Sequence, residues 1–273
     1  MGGSKNESCR LKSKLAQLSL AFIVFITLLA IFAPHITPYS FFEQHIADRL
    51  QSPSHQHWMG TDALGRDLFS RILYGARMSL AVGFFATLVG LVVGTSVGAV
   101  SGFFGGWIDS LLMRMVDVFY IFPSMLIAIL LMLILGRGFV GIYLAIGMTA
   151  WVTQARLVRA LVLQNKELGY VEAARAVGLN GFDIVTRHIL PNLWAPMIVS
   201  LTIQIPAAVM AESFLSFLGL GLQPPFSSWG TLASEGFHAM HSYPHLIIFP
   251  GAILFITMMA FSYLGDGLSE ITE

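Results

Sequence analysis

Charge is scarce in this chain. Its 273 residues include 15 Lys+Arg and 15 Asp+Glu, only 11% of the total, against 56% hydrophobic residues and a mean hydropathy of +0.75. A water-soluble domain carries about 25% charged residues, so the material for a polar skin is missing. The same figures exclude a disordered chain, which needs low hydrophobicity and high charge. Cysteine is nearly absent. Cys9 alone cannot form an internal bridge, which excludes a disulfide-stapled fold, and it reads as an unmodified thiol. The formal net charge is zero, which gives no basis for nucleic-acid binding. None of the four lysines, Lys5, Lys12, Lys14 and Lys166, follows a Gly-rich phosphate-binding loop, so the chain cannot hydrolyse ATP alone. What these absences leave is a polytopic, all-α membrane protein.

A bilayer core of about 30 Å takes roughly 20 apolar helical residues with every backbone group satisfied. Six charge-free stretches qualify: 15–33, 79–101, 118–135, 139–155, 193–211 and 246–264. The first follows Lys5, Arg10, Lys12 and Lys14 as a signal peptide would. It exceeds the ~7–15 apolar residues of a signal core, however, and Ile31-Phe32-Ala33 is a poor cleavage site, so it is expected to stay as a span. The predicted organisation is a cytosolic segment 1–14, a first span 15–33, an outer loop 34–78, a core of five spans 79–267 and a cytosolic tail 268–273. Orientation follows Lys/Arg asymmetry. With both termini in the cytoplasm, the inner segments hold Lys5, Arg10, Lys12, Lys14, Arg114, Arg156, Arg159, Lys166, Arg175 and Arg187. The outer ones hold only Arg49, Arg66, Arg71, Arg77 and Arg137.

Gly90, Gly94, Gly98 and Gly102 fall four residues apart in the second stretch, with Ala86 extending the row. At helical spacing this is one smooth ridge, a packing seam for another helix of the same subunit or a partner. In the outer loop, Asp62, Arg66, Asp67 and Arg71 alternate in sign at helical spacing, between Leu64, Leu68 and Phe69. That pattern predicts an interfacial helix with paired charges.

The main inner excursion, 156–192, has internal order. Glu172-Ala173-Ala174-Arg175-Ala176-Val177 suits a short helix with its acid near the start, and Gly178 stands where a helix end needs φ > 0. Asn180-Gly181 signals a turn, and Phe182–Ile189 forms a second amphipathic piece leading to Leu190-Pro191. The prediction is a helix–turn–helix at the membrane face. Ala173, Ala174 and Ala176 would give it a flat surface for a groove on another protein.

Glu172-Ala173-Ala174, three residues, Gly178 and then Leu190-Pro191 resemble the EAA loop of bacterial ABC importer permeases. The one departure is His188 at the family's Ile position, with Ile189 beside it. The outer run Gly60-Thr61-Asp62-Ala63-Leu64-Gly65-Arg66-Asp67-Leu68-Phe69-Ser70-Arg71 is similar to the C-type subunit of dipeptide, oligopeptide and nickel permeases. So are Ser216-Phe217-Leu218-Gly219-Leu220-Gly221, Pro224-Pro225, Trp229-Gly230 and Pro250-Gly251. The resemblance covers roughly residues 57–267. It implies the type I permease fold, and a multi-pass subunit of a bacterial inner membrane that translocates di- or oligopeptides. It also implies the partners: a second permease subunit, two ATP-binding subunits that hold the ATP and Mg, and an extracytoplasmic substrate-binding protein. Glu172, Ala173, Ala174, Gly178, Leu190 and Pro191 would couple the ATPases to the spans. Nickel and glutathione stay open as alternative substrates.

Ionisable groups within the spans are few. Glu212, at the end of the fifth, is a candidate for the translocation path, with a structural hydrogen-bond acceptor as the other reading. Gln154 and Gln204 read as interhelical hydrogen bonds, and Asp117 as an i,i+3 pair with Arg114. His238 and His241 would share a helix face, but no cysteine or carboxylate completes a metal site. An ion-coupled secondary transporter would place carboxylates near the bilayer midplane, and the mid-span stretches hold none. A non-transporting structural subunit would leave the ordered inner loop without a use.

Overall fold

Twelve α-helical segments follow one another along the computed structural model, which describes the backbone of residues 2–136 and 138–272 and the side chains of residues 14–136 and 138–270. Arg137 and the side chains of Lys5, Cys9, Arg10 and Lys12, used in the charge reading, lie outside the described residues. The segments are α1 (Gly2–Ile31), α2 (Ala33–Ile36), α3 (Leu68–Phe104), α4 (Gly106–Ile121), α5 (Ser124–Leu135), α6 (Phe139–Asn165) and α7 (Gly169–Ala176). They continue with α8 (Gly181–Asp183), α9 (Leu190–Asn192), α10 (Trp194–Phe217), α11 (Trp229–Ala239) and α12 (His245–Thr272). A π-helical stretch, Ile184–Ile189, joins α8 to α9.

Stretches within α1, α3, α10 and α12 are long and apolar enough to cross a membrane, and the bent pair α4–α5 makes a fifth candidate. The expected span 118–135 is therefore not straight: α4 and α5 meet at 92° across Phe122-Pro123, because proline lacks the N–H that would continue the ladder. The expected span 139–155 is helical inside α6, but that helix carries Arg156 and Arg159 and falls short of the same apolar length. The second span also begins well before residue 79. α3 has 37 residues, about 55 Å at 1.5 Å per residue, so it overshoots a bilayer core at one end or both.

The predicted interfacial helix is a second correction, because residues 62–67 are loop. Asp62 Oδ1 accepts from the backbone N–H groups of Leu64 (2.8 Å) and Arg66 (3.0 Å), a local bond that competes with helix formation. Gly65 sits at φ +73°, where an added Cβ would lie 1.8 Å from the carbonyl oxygen of His45. The helix starts only at Leu68, where Asp67 caps it by accepting from Ser70 N–H at 2.8 Å. The charges do pair, as the alternation predicts. Asp62 Oδ2 accepts from Arg66 Nε and from Arg71, each at 2.6 Å, and Arg71 also bonds Glu235 on α11, at 3.1 Å from its second nitrogen.

The glycine ridge is an intrasubunit seam. α3 packs on α6 more extensively than any other two elements pack together. A Cβ on Gly94 would stand 2.6 Å from the carbonyl oxygen of Trp151, and one on Gly98 would stand 2.4 Å from that of Ala155. Gly90 and Gly102 lie against Ala150 and against Arg159 and Val162 in the same way. Backbone contact this close needs glycine, and α6 returns the fit with Gly147 against Ala86.

Two stability effects are expected in thermal unfolding of the detergent-solubilised protein. Gly98→Val should cost about 1–3 kcal/mol through overpacking against fixed backbone, whereas Val92→Ala, on the exposed face of the same helix, should be near neutral. Arg71→Met should cost about 1.5–3 kcal/mol by removing one of the two guanidinium partners of the buried Asp62 carboxylate, and Glu235→Gln much less, since Glu235 is 45% exposed.

Candidate functional site

α7 is held by its inner face. Val171 and Ala174 are buried with Val158 and Val162 of α6, Ala99 of α3, and Ile184, Val185 and Ile189 of the π-helical stretch. Burying each of the larger side chains contributes about 1.5–3 kcal/mol, which anchors an eight-residue helix that could not stand alone. Arg175 lies over the Phe103 ring at 5.7 Å, and Gly181 abuts the same ring. α7 therefore rides on the ends of α3 and α6.

Its end is built by Gly178, at φ +88°. The Gly178 N–H donates to Arg175 O at 2.9 Å and the Leu179 N–H to Ala174 O at 3.2 Å, a paired closure that satisfies the last carbonyls. Asn180 then caps α8 by accepting from Asp183 N–H at 2.8 Å. The predicted helix–turn–helix is present, with one correction. Ala174 faces inward, so the outward surface is made by Glu172, Ala173, Arg175 and Ala176, with Leu179 and the strongly exposed Val177 (82%) and Phe182 (74%) beyond them. Leu190 is half-buried and Pro191 exposed. At the departure from the EAA pattern, Ile189 is fully buried and His188 only partly. The i,i+5 spacing of the π turn sets Ile184 and Ile189 on one side.

Glu212 is fully buried on α10 and bonded only to hydroxyls: Ser216 donates at 2.6 Å and Ser79 of α3 lies at 3.5 Å. Ser216 also reaches Ser228, the N-cap of α11, at 3.4 Å. Ser79 in turn accepts from the N–H of Trp229, whose indole N–H donates to Ile72 O at 3.2 Å. Gly230 sits so close to α10 that a Cβ would come within 2.4 Å of Ser213 Cα. The carboxylate thus ties three helices from inside the subunit, the geometry of the second reading offered for it above. Gln204 donates to Gln154 at 2.6 Å, the interhelical bond expected of that pair. Asp117 pairs not with Arg114 but across to Arg156 of α6, at 2.5 Å.

Sequence reasoning missed the pair Asp109–Arg159, two bonds of 2.6 Å that clamp α4 to α6, and the role of Trp229 as the buried pin of α11. Neither has a local signal, since the partners lie 50 and 157 residues apart. His238 and His241 are both exposed, and no group of three or more metal-ligating side chains occurs among the described residues. Glu212→Gln should keep the protein's unfolding temperature near that of the parent. Glu212→Leu, which leaves buried hydroxyls unpaired, should cost about 1–3 kcal/mol. Equal melting of the two variants would remove the tie from the account.

Residues 86–273 match the family described as binding-protein-dependent transport system inner membrane component. Residues 11–53, where sequence reading found nothing distinctive, match the N-terminal TM domain of oligopeptide transport permease C. The dipeptide transport system permease protein DppC of Bacillus subtilis is 44% identical over 96% of this chain and 82% of its own length. The oligopeptide transport system permease protein OppC of the same organism is 41% identical over 98% and 88%. The glutathione transport system permease protein GsiD of Pectobacterium atrosepticum is 40% identical over 96% and 88%. Among solved structures, an inward-facing MetNI methionine ABC transporter aligns with a TM-score of 0.59 at 20% identity, over 73% of this chain and 94% of that one, a likeness of fold. With a family match over most of its length and relatives this similar, the chain belongs to the inner membrane components of binding-protein-dependent transport systems, the permeases of ABC importers, and is a transport subunit rather than an enzyme.

Proposed function

We propose that this permease carries di- or oligopeptides inward, delivered by an extracytoplasmic binding protein and driven by two partner ATPases that act on α7 and the turn after it. The peptide reading is supported by the dipeptide and oligopeptide relatives, each similar over nearly the whole chain. The observation that carries the coupling reading is the division of α7 into two faces. One is sunk among the ends of α3 and α6, and the other is small and bare, with Val177 and Phe182 standing free. A helix so placed transmits a push to the spans and not to a loop.

In this reading both termini and α7 face the cytoplasm, where ATP closure of the paired ATPases tilts the spans between two states. The path runs between this chain and a second permease subunit. The first span 15–33 and the outer loop 34–78 precede the five-span core 79–267, and Ile26 and Ala30 of the first span pack against it. Glu212 holds α11 against α3 and α10 through its serines and does not face the path.

Gly178→Val is the decisive substitution. No atom lies within 4 Å of the added Cβ, so the damage is confined to backbone: a β-branched residue at positive φ is strongly disfavoured. In proteoliposomes holding the whole complex, uptake of a labelled dipeptide is expected to collapse while the variant still inserts and pairs. Gly178→Ala should fall between the two. Normal uptake by Gly178→Val would rule out coupling through this turn.

A further inference from the structure

The break between α4 and α5 opens a cavity of about 320 Å³, lined in part by Tyr120, Phe122, Ser124, Thr149 and Thr153. Its place is unusual. Thr149 and Thr153 lie in the expected span 139–155, and Ser124 in the expected span 118–135, so the hydroxyls sit where the surroundings are otherwise apolar. Ser124 and Thr153 are exposed and Thr149 half-exposed. No side chain caps the start of α5, and Phe122 and Pro123 have extended ψ values of 139° and 118°. Non-helical backbone at membrane depth is tolerated only where it is buried in protein or lines a water-filled cavity, so in this reading the surface faces the second permease subunit or the path beside it and not lipid.

No charged side chain lines the cavity. The Arg156 guanidinium stands behind one wall, 3.8 Å from the centroid of the Tyr120 ring, and pairs with Asp117. Hydroxyls beside aromatic faces suit an amide chain. They do not suit a bare metal ion, because the lining offers no carboxylate cluster or imidazole.

Resting on the permease reading above, we propose that this cavity is a contact point for the peptide main chain on its way through. Ser124 and Thr153 exchange hydrogen bonds with peptide amides, Thr149, whose hydroxyl donates to Ile146 O at 2.7 Å, accepts one, and Tyr120 and Phe122 flank the side chains. Main-chain recognition of this kind makes passage insensitive to peptide sequence and leaves selectivity to the binding protein.

The test uses the full complex in proteoliposomes, with uptake of a labelled dipeptide and ATP hydrolysis stimulated by the binding protein read side by side. The near-isosteric double variant Thr149→Val/Thr153→Val is expected to lose about tenfold in uptake, as two hydrogen bonds are removed, while stimulated hydrolysis changes less than twofold. Unchanged uptake overturns the proposal. A parallel fall in both readouts also overturns it, since the hydroxyls would then serve assembly. A second measurement covers a variant that fails to assemble. Cys9 is the chain's one cysteine, so Ser124→Cys in a Cys9→Ser background supplies a unique thiol at the cavity. Its reaction with a membrane-impermeant maleimide should slow during dipeptide turnover, and equal rates with and without dipeptide would refute the contact. A parent complex that takes up no peptide at all sinks the peptide reading instead, before any variant is made.

Discussion

Close approach of two backbones, α3 on α6, is the constraint from which the rest of the molecule is hung. In a row of four glycines spaced by four residues, Gly94, Gly98 and Gly102 let the carbonyl oxygens of Trp151, Ala155 and Arg159 come within 2.6, 2.4 and 2.9 Å of where a Cβ would stand. Lipid gives helices no hydrophobic reason to associate, so contact at this range is what makes the pair a unit. The far ends then follow. Arg159, on the seam, holds Asp109 and so fixes α4, and Lys166 Nζ donates to Gly102 O at 3.2 Å. The cluster that receives α7 includes Val158 and Val162, which also pack on Gly98 and Gly102. A shift along the seam would therefore move α4 and α7 together.

The opposite end is organised by desolvated charge. Asp62, Arg66 and Arg71 are almost fully buried, and each would be costly alone. Closed on one another and on Glu235, they fasten the loop before α3 to two helices. At the start of α11, Glu212 performs the equivalent task with hydroxyls alone. α11 is thus held twice, by ions along its length and by serines and Trp229 at its start. A short helix so firmly fixed is a wall of the bundle and not a flap.

How much of this was legible in the sequence depends on the range of the physics. The glycine row, the Gly178 helix end, the Asn180 turn and the Gln154–Gln204 bond were readable, because periodicity and local backbone preference decide them. The stretch 62–71 was misread. Alternating charge at helical spacing describes equally well a loop whose carboxylate bonds its own backbone, and only Gly65 against His45 decides between them. The break at Pro123 falls inside the expected span 118–135, since composition does not report an angle. Ala174 was assigned outward because neighbouring alanines look alike until Val158 and Val162 claim one of them. Partners far along the chain, Arg159 for Asp109 and Ile72 for Trp229, left no trace in any local pattern.

The wide turn at Ile184–Ile189 has a consequence for the chain's tolerance of change. A π-helical loop holds one residue more than an α turn in nearly the same rise, so it stores slack. That slack lets Ile189 fill the apolar slot while His188 stands in the position the motif reserves for isoleucine. The surplus is absorbed locally and does not turn α10 about its axis. The orientation of Glu212 toward its serines, 23 residues downstream, is thereby insulated from the spelling of the motif that precedes it.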